Sequence, residues 1–328
     1  MLRDLNSPTL KCIGVYRNPL MNENIVLKLN SGISGIILYL LPQDNALSIF
    51  NLLSTILEGI LDEMILLVSK ISVFKEVFCM ELEKIVEILE QIAPLELADD
   101  FDRGKIGLIL DLKNDIEKIA IALDANFYVL KKAAEMRADL LITHHTLIFH
   151  PINKISKSLA SSLKLAFENR ISLYTMHTNY DREREGINYA LAVKIGLKNC
   201  ETVEIGRIGE VEPCSSAELA SHISKCLQTP VVYAGEREGI RRVMVIGGSG
   251  FKSEFLEIGR ENRIDAFISS ELKHEVLRAY EDICMIDATH YATESPGMEA
   301  LCLRLRKLLE IEVEFIKQPS RLRTIDRT

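Results

Sequence analysis

The stretch "ADLLITHHTLIFHP" (Ala138–Pro151) carries the reading of the fold. A short apolar run, Leu140–Ile142, leads into two adjacent imidazoles, His144 and His145. Apolar runs of this length, bounded by polar residues, read as buried strands. A helical pattern precedes it ("NFYVLKKAAEM", 126–136) and another follows near 156–169. A buried strand between two helices predicts a parallel sheet with helices on its faces.

The alternation continues outward. Upstream lie "IGLIL" (106–110) and "IEKIAIALD" (116–124), in which Ile119, Ile121 and Leu123 alternate. Before them, "MELEKIVEILEQIAP" (80–94) places Leu82, Ile85, Val86, Leu89 and Ile92 on one helical stripe. Downstream come "ISLYTM" (171–176) and a helix near 187–195 ended by Gly196. In "SSAELASHISKCL" (215–227), Ser215 and Glu218 are spaced as a capping box. "RRVMVIGGSG" (241–250) is a strand running into a glycine loop. "IDAFISS" (264–270), "DICMIDA" (282–288), a helix near 296–309 and a closing strand "IEVEFI" (311–316) finish the pattern. The expected class is α/β, with mostly parallel or mixed sheets flanked by helices.

Composition narrows the function. The 328 residues are 48% hydrophobic and 26% charged, as in ordinary globular chains. A net charge of −8 argues against a nucleic-acid partner. The absence of Trp and an aromatic content of 6% argue against a base-stacking platform. Seven scattered cysteines without a CxxC pair, and no signal peptide, read as reduced thiols in a cytoplasmic protein. They also argue against a thiolate metal site.

Residues 1–79 differ in character from 80–328. They contain no His, and carry the apolar runs "SGISGIILYLL" and "NALSIFNLLSTILEGILDEMILLVSK". Pro42 to Asn45 interrupt the first run, and Glu58, Asp62 and Glu63 the second. Neither gives about 18 uninterrupted apolar residues, so a packed helix is expected and a membrane span is not. The segment reads either as a genuine extension or as a misread start upstream of Met80.

The polar chemistry collects where strands end. "ADLLIT" ends in His144 and His145; "ISLYTM" ends in His177, with Asp181 four residues on. "DICMIDA" runs into Thr289 and His290, with Glu294 four residues on; "IDAFISS" runs into Glu271, with His274 three residues on. In an open parallel sheet the carboxyl ends of the strands share one edge, where ligands bind. Imidazoles and carboxylates gathered there suit zinc, iron, manganese or cobalt. Neighbouring residues on a strand point to opposite faces. His144 and His145 therefore approach a site from different angles, which suits two metal ions better than one. Asp181 and Glu294 are candidates to bridge the pair.

Plainer readings stand beside these. His177 with Asp181 fits a loop hydrogen bond, and His290 with Glu294 fits polar residues ahead of a helix, with Pro296 near its first turn. His150 and His222 read as surface or helix residues. "VIGGSG" (245–250) could cradle a phosphate through backbone amides, or be a tight turn needing unusual backbone angles.

In order, "HHTLIFHPINKI", "LYTMHTNYDREREGINYALAVKIGL", "VMVIGGSG", "SSELKHE" and "IDATHYATESPGMEAL" resemble the NIF-three-like family, often labelled GTP cyclohydrolase 1 type 2. The resemblance covers residues 80–328. It implies a two-lobed α/β fold with a central lobe at about 207–240, a dinuclear metal centre and a homohexamer. By motif match the ligands are His144, His145, Asp181, His290 and Glu294. His177, Glu271 and His274 match positions beside the centre and are expected to relay protons or face substrate. Three departures concern backbone geometry: Thr146 stands where the family has Pro, Ser270 lies within its "TGE" pattern, and Thr289 replaces a Gly.

The implied activity is two-metal hydrolysis of a small molecule, in the family's case opening of a purine's imidazole ring. Two alternatives use the same ligands. One is two-metal cleavage of a phosphoester or amide; the other is a regulatory or scaffold protein that binds metal without turnover.

Overall fold

The computed structural model describes residues 78–320 and 322, together with strands at 13–17, 25–31 and 34–39. The chain divides into two compact units, Met1–Glu76 and Val77–Thr328. In the first, β1 (Ile13–Arg17), β2 (Ile25–Ser31) and β3 (Ser34–Tyr39) form an antiparallel sheet. β3 falls within the first apolar run. The helix expected over the second run lies outside the described residues.

The second unit opens with β4 (Met80–Glu81) and α1 (Leu82–Ile92). There follow β5 (Gly107–Leu110), β6 (Asp115–Ile116), β7 (Lys118–Asp124) and α2 (Phe127–Glu135). β8 (Leu140–His145) is the strand read from the sequence, and α3 (Lys157–Asn169) and β9 (Ser172–Thr175) follow it. Next come α4 (Thr178–Arg182), α5 (Ile187–Lys194), β10 (Lys198–Val203) and β11 (Gly206–Cys214). α6 (Ser216–Leu227) carries the expected capping box between Ser215 and Glu218. Then come β12 (Val232–Ala234), β13 (Ile240–Val245), α7 (Ser253–Glu261) and β14 (Ala266–Ser269). α8 (His274–Ala279), β15 (Cys284–Asp287), α9 (His290–Leu308) and β16 (Glu312–Phe315) complete it.

β4 and β6 pair antiparallel as a two-stranded sheet, and the other strands build two mixed sheets. The first has the order β16-β7-β8-β9-β5, parallel except at the β5 edge. The second has the order β10-β11-β13-β14-β15-β12, with a parallel centre of β13, β14 and β15. Residues 207–240 belong to this second sheet, supplying β11, α6 and β12.

The central strands of both sheets are buried on both faces, as parallel strands covered by helices are. On β7, Ile119, Ile121 and Leu123 pack against α1 and α9, and Ala120 and Ala122 against α2. On β13, Val243 and Val245 pack with α5 and α6, while Met244 packs with α7. Covering both faces with helices leaves the carboxyl ends of the parallel strands as the open edge.

One expectation is corrected here. The last helix begins at His290, not near 296, and Pro296 sits inside it. Its opening turns bury Thr293, Glu294 and Ser295, so the buried face there is polar and gives no apolar period to read. Among the described residues no helix is long and apolar enough to cross a membrane.

Candidate metal centre

The open edge gathers four of the seven histidines. Asp124 and His145 close β7 and β8 and are register partners. His144 precedes His145, His177 follows β9, and His290 begins α9 just beyond β15. Each ring is tied outward through Nδ1. His144 Nδ1–H donates to the Met176 carbonyl (2.8 Å), and His145 Nδ1–H to Asp124 Oδ1 (2.6 Å). His177 Nδ1–H donates to Asp102 Oδ2 (2.7 Å), and His290 Nδ1–H to Glu271 Oε1 (2.6 Å). A partner on one ring nitrogen orients the imidazole and leaves Nε2 to face inward, as in ligating histidines.

Three of the inward atoms converge on two carboxylates. His144 Nε2 lies 3.7 Å from Glu294 Oε1 and 3.6 Å from Asp181 Oδ1. Glu294 Oε2 lies 3.2 Å from His145 Nε2 and 3.0 Å from His290 Nε2. Glu294 thus turns one oxygen to His144 and the other to His145 and His290. Ligand atoms of His144, His145 and His177 lie within 4.8 Å of one another, as do those of His145, His290 and Glu294.

His144 Nε2, Asp181 Oδ1, His290 Nε2 and Glu294 Oε2 are buried without an aligned hydrogen-bond partner. Orphaned buried polar atoms are costly and rare. Four of them in one cluster, from nitrogen and carboxylate donors, fit a divalent metal.

The electrostatics follow from burial and from Glu294. Burial pushes His144 down to about 3, so it is neutral with a free Nε2 lone pair. Burial also opposes charge on His145, but Asp124 and Glu294 outweigh it and hold this ring up at about 10. His290 behaves alike, with Glu294 and Glu271 prevailing over burial and raising it to about 9. Burial, reinforced by the Glu294 charge, lifts Asp181 well above the carboxylate range. Burial works against the charge of Glu294 too, but the surrounding imidazoles hold it well below the usual value.

The remaining residues separate by placement. Glu271 reaches the cluster through its bond to His290. His274 is exposed at the start of α8, and its side chain makes no hydrogen bond, ion pair or ring contact among the described residues. His177, expected beside the centre, has its ligand atom inside it. Sequence reasoning missed the anchors Asp102 and Asp124. Asp124 closes the strand "IAIALD", so the strand-end argument could have found it; Asp102 carries no such signal.

The glycine loop is a turn. The amide of Gly247 donates to Asn188 Oδ1, that of Gly248 to Thr293 Oγ1 and that of Gly250 to Ser269 Oγ. These amides are spent within the fold, which removes the phosphate-cradle reading. The loop instead makes room for Glu294: a Cβ on Gly248, whose φ is +65°, would lie 2.1 Å from Glu294 Oε1.

A cavity of about 410 Å³ opens onto the cluster, lined in part by His177, Asp181, His290, Glu294, Phe101 and Lys252. Phe101, 49% exposed, and Phe149 lie with ring centroids 6.3 and 6.0 Å from His177.

Fold and site together define a class: α/β proteins with two mixed sheets and an imidazole–carboxylate cluster, suited to a metal, at the strand ends. The sequence model of the Duf34/NIF3 (NGG1p interacting factor 3) family matches residues 80–321, and the chain belongs to that family. A Methanocaldococcus jannaschii protein named GTP cyclohydrolase 1 type 2 homolog is 31% identical over 241 residues, covering 71% of this chain and 98% of the relative. A Pyrococcus horikoshii protein of the same name is 32% identical over 256 residues, covering 74% of this chain and 100% of the relative. The solved structure of reduced HcgD from Methanocaldococcus jannaschii superposes with a TM-score of 0.65 at 31% identity, covering 73% of this chain and 98% of that one.

Proposed function

We propose that the cluster holds two divalent metal ions and that the protein is a metal-dependent hydrolase of the GTP cyclohydrolase kind. The observation that carries this is the convergence of the Nε2 atoms of His144, His145 and His290 on Glu294 and Asp181, each ring anchored through its other nitrogen. By this reading His144, His145, Asp181, His290 and Glu294 would hold the ions, with Glu294 turning one oxygen toward His144 and the other toward His145 and His290. Bound ions would acidify a water molecule and polarise the carbon it attacks.

The chain's own residues supply the rest. Asp102, pinned by the Thr178 amide at 3.2 Å and the Thr178 hydroxyl, orients His177 at the edge of the cavity. His177 takes a proton from the attacking water and returns it to the departing ring nitrogen. Hydroxide adds at the purine C8, the C8–N9 bond breaks as the new C8–O bond becomes a formyl carbonyl, the proton carried by His177 ends on N9 and the remaining hydroxyl proton ends on N7. The cavity volume falls in the usual range for small-ligand sites, about 300–1,000 Å³.

The test is direct. The purified protein, loaded separately with zinc, iron, manganese and cobalt, is incubated with GTP, other nucleotides and generic phosphoesters. Ring opening appears as loss of purine absorbance and gain of the mass of one water. Asp181→Ala and Glu294→Ala are each expected to lose metal while staying folded. Intact metal with no turnover on any substrate overturns the hydrolase reading in favour of metal binding without catalysis.

A further inference from the structure

We propose that the segment following the last strand is a latch on the metal centre, in which Gln318 positions Asp124 and, through it, His145. This rests on the metal reading of the cluster.

β16 runs parallel to β7, and the Ile316 amide still donates to the Ile121 carbonyl (2.7 Å), so the chain leaves the sheet beside the end of β7. There Gln318 is only 8% exposed. Its Nε2–H donates to Asp124 Oδ2 (2.6 Å), and its Oε1 accepts from the Asp124 backbone amide (3.1 Å). Its own amide donates to the Tyr291 hydroxyl (2.9 Å), one residue past His290.

Each oxygen of Asp124 therefore has one assigned task. Oδ1 takes His145 Nδ1–H at 2.6 Å, and Oδ2 takes Gln318. A carboxylate held at one oxygen can rotate about its terminal torsion, which is broad and soft; held at both, it cannot. The side-chain amide of Gln318 meets a donor and an acceptor on the same residue, so only one of its two flips works. Glu has the size but cannot donate to the carboxylate. Met has the size and offers neither group. Asn is one carbon short. The same residue touches the start of α9, so it joins β7, whose Asp124 holds His145, to the helix that carries His290.

Gln318 is a positioning residue, and metal affinity reads it. Wild type, Gln318→Met, Gln318→Glu, Asp124→Asn and the Asp124→Asn/Gln318→Met double variant are stripped by chelator and titrated with zinc. Cobalt ligand-field spectra report coordination, and melting of the stripped proteins reports folding. Removing the group that orients a ligating imidazole lowers metal affinity about 10–100-fold. Asp124→Asn is expected in that range, and Gln318→Met and Gln318→Glu near its lower end, about 10-fold, with altered cobalt spectra. Because the path is single, the double variant binds no more weakly than Asp124→Asn alone. Wild-type affinity in Gln318→Met, full additivity in the double variant, or lowered melting with unchanged affinity each overturns the latch while the metal reading stands. Failure of the wild type itself to take up zinc overturns the metal reading and the latch with it.

Discussion

Two single positions show how closely the backbone is matched to the site. Gly248 lies at φ +65°, and a methyl group there would meet Glu294 Oε1 at 2.1 Å. Gly248→Ala adds backbone strain and drives the shared carboxylate out of place. The expected outcome is a loss of metal affinity of about 100-fold, the upper end for disturbed ligand support, measured by zinc titration of the stripped variant. Thr289 gives the opposite sign. It stands where the family has Gly and keeps φ 66° and ψ 145°, a region costly for a β-branched residue. Such strain costs of order 1–3 kcal/mol. Thr289→Gly removes it but also loses the 3.1 Å hydroxyl contact with Thr229. That loss and the added freedom of the unfolded chain offset about 1–2 kcal/mol. The variant is expected to be more stable by about 0.5–1 kcal/mol in denaturant melts; a less stable variant would show that the hydroxyl contact outweighs the strain. His144, His145, His177 and His290 could be read beforehand because each follows an apolar run, and strand ends share an edge. Asp102 is 75 residues from the imidazole it holds and Gln318 is 194 from Asp124. Pairing at that distance is set by tertiary packing, and no local pattern records it.

The elements show where pattern reading works and where it stops. β7, β8, β13 and β14 were readable because helices cover both their faces, and burial then writes an apolar run. α9 was placed six residues late because its opening turns face the cluster, so its buried side chains there are Thr293, Glu294 and Ser295. The body of α9 packs on α5 through Gly297, where a Cβ would lie 2.5 Å from Ile187 Cδ1 and 2.7 Å from its Cα. In an exposed helix, Gly→Ala gains about 1 kcal/mol. Here the nearer obstacle can turn away but the backbone carbon cannot, and overpacking costs about 1–3 kcal/mol. Gly297→Ala is therefore expected to destabilise the chain by about 1–2 kcal/mol, read as a lower urea midpoint. Because the same helix carries His290 and Glu294, metal affinity should fall with it. A stabilised variant would mean that the two helices can part without cost.

The centre draws on both sheets at once. His144, His145 and His177 come from the first sheet, while His290 and Glu294 follow β15 of the second. The rest of α9, with Met298, Leu301 and Leu305, is buried in the core of the first sheet. Ions held here would link the sheets, so metal should stabilise the fold as a whole. A ligand at 100 times its Kd adds about 2.7 kcal/mol per site, which for a chain of this size raises the melting point by roughly 5–10 °C. The pH dependence has a definite sign. Without metal, His145 and His290 sit at about 10 and about 9, above the ordinary value of 6.5. Their raised pKa values contribute stability that is complete below 6.5 and is lost as pH rises through about 9 and about 10. Metal must displace those same protons, so uptake at neutral pH releases protons and affinity grows as pH rises. Both effects widen the gap between metal-loaded and chelator-treated melting points from about pH 6 to about pH 9. Melting curves with and without chelator across that range measure the gap, and the pH change of an unbuffered solution during zinc addition measures the protons. A gap that narrows with rising pH would place the displaced protons elsewhere than on His145 and His290.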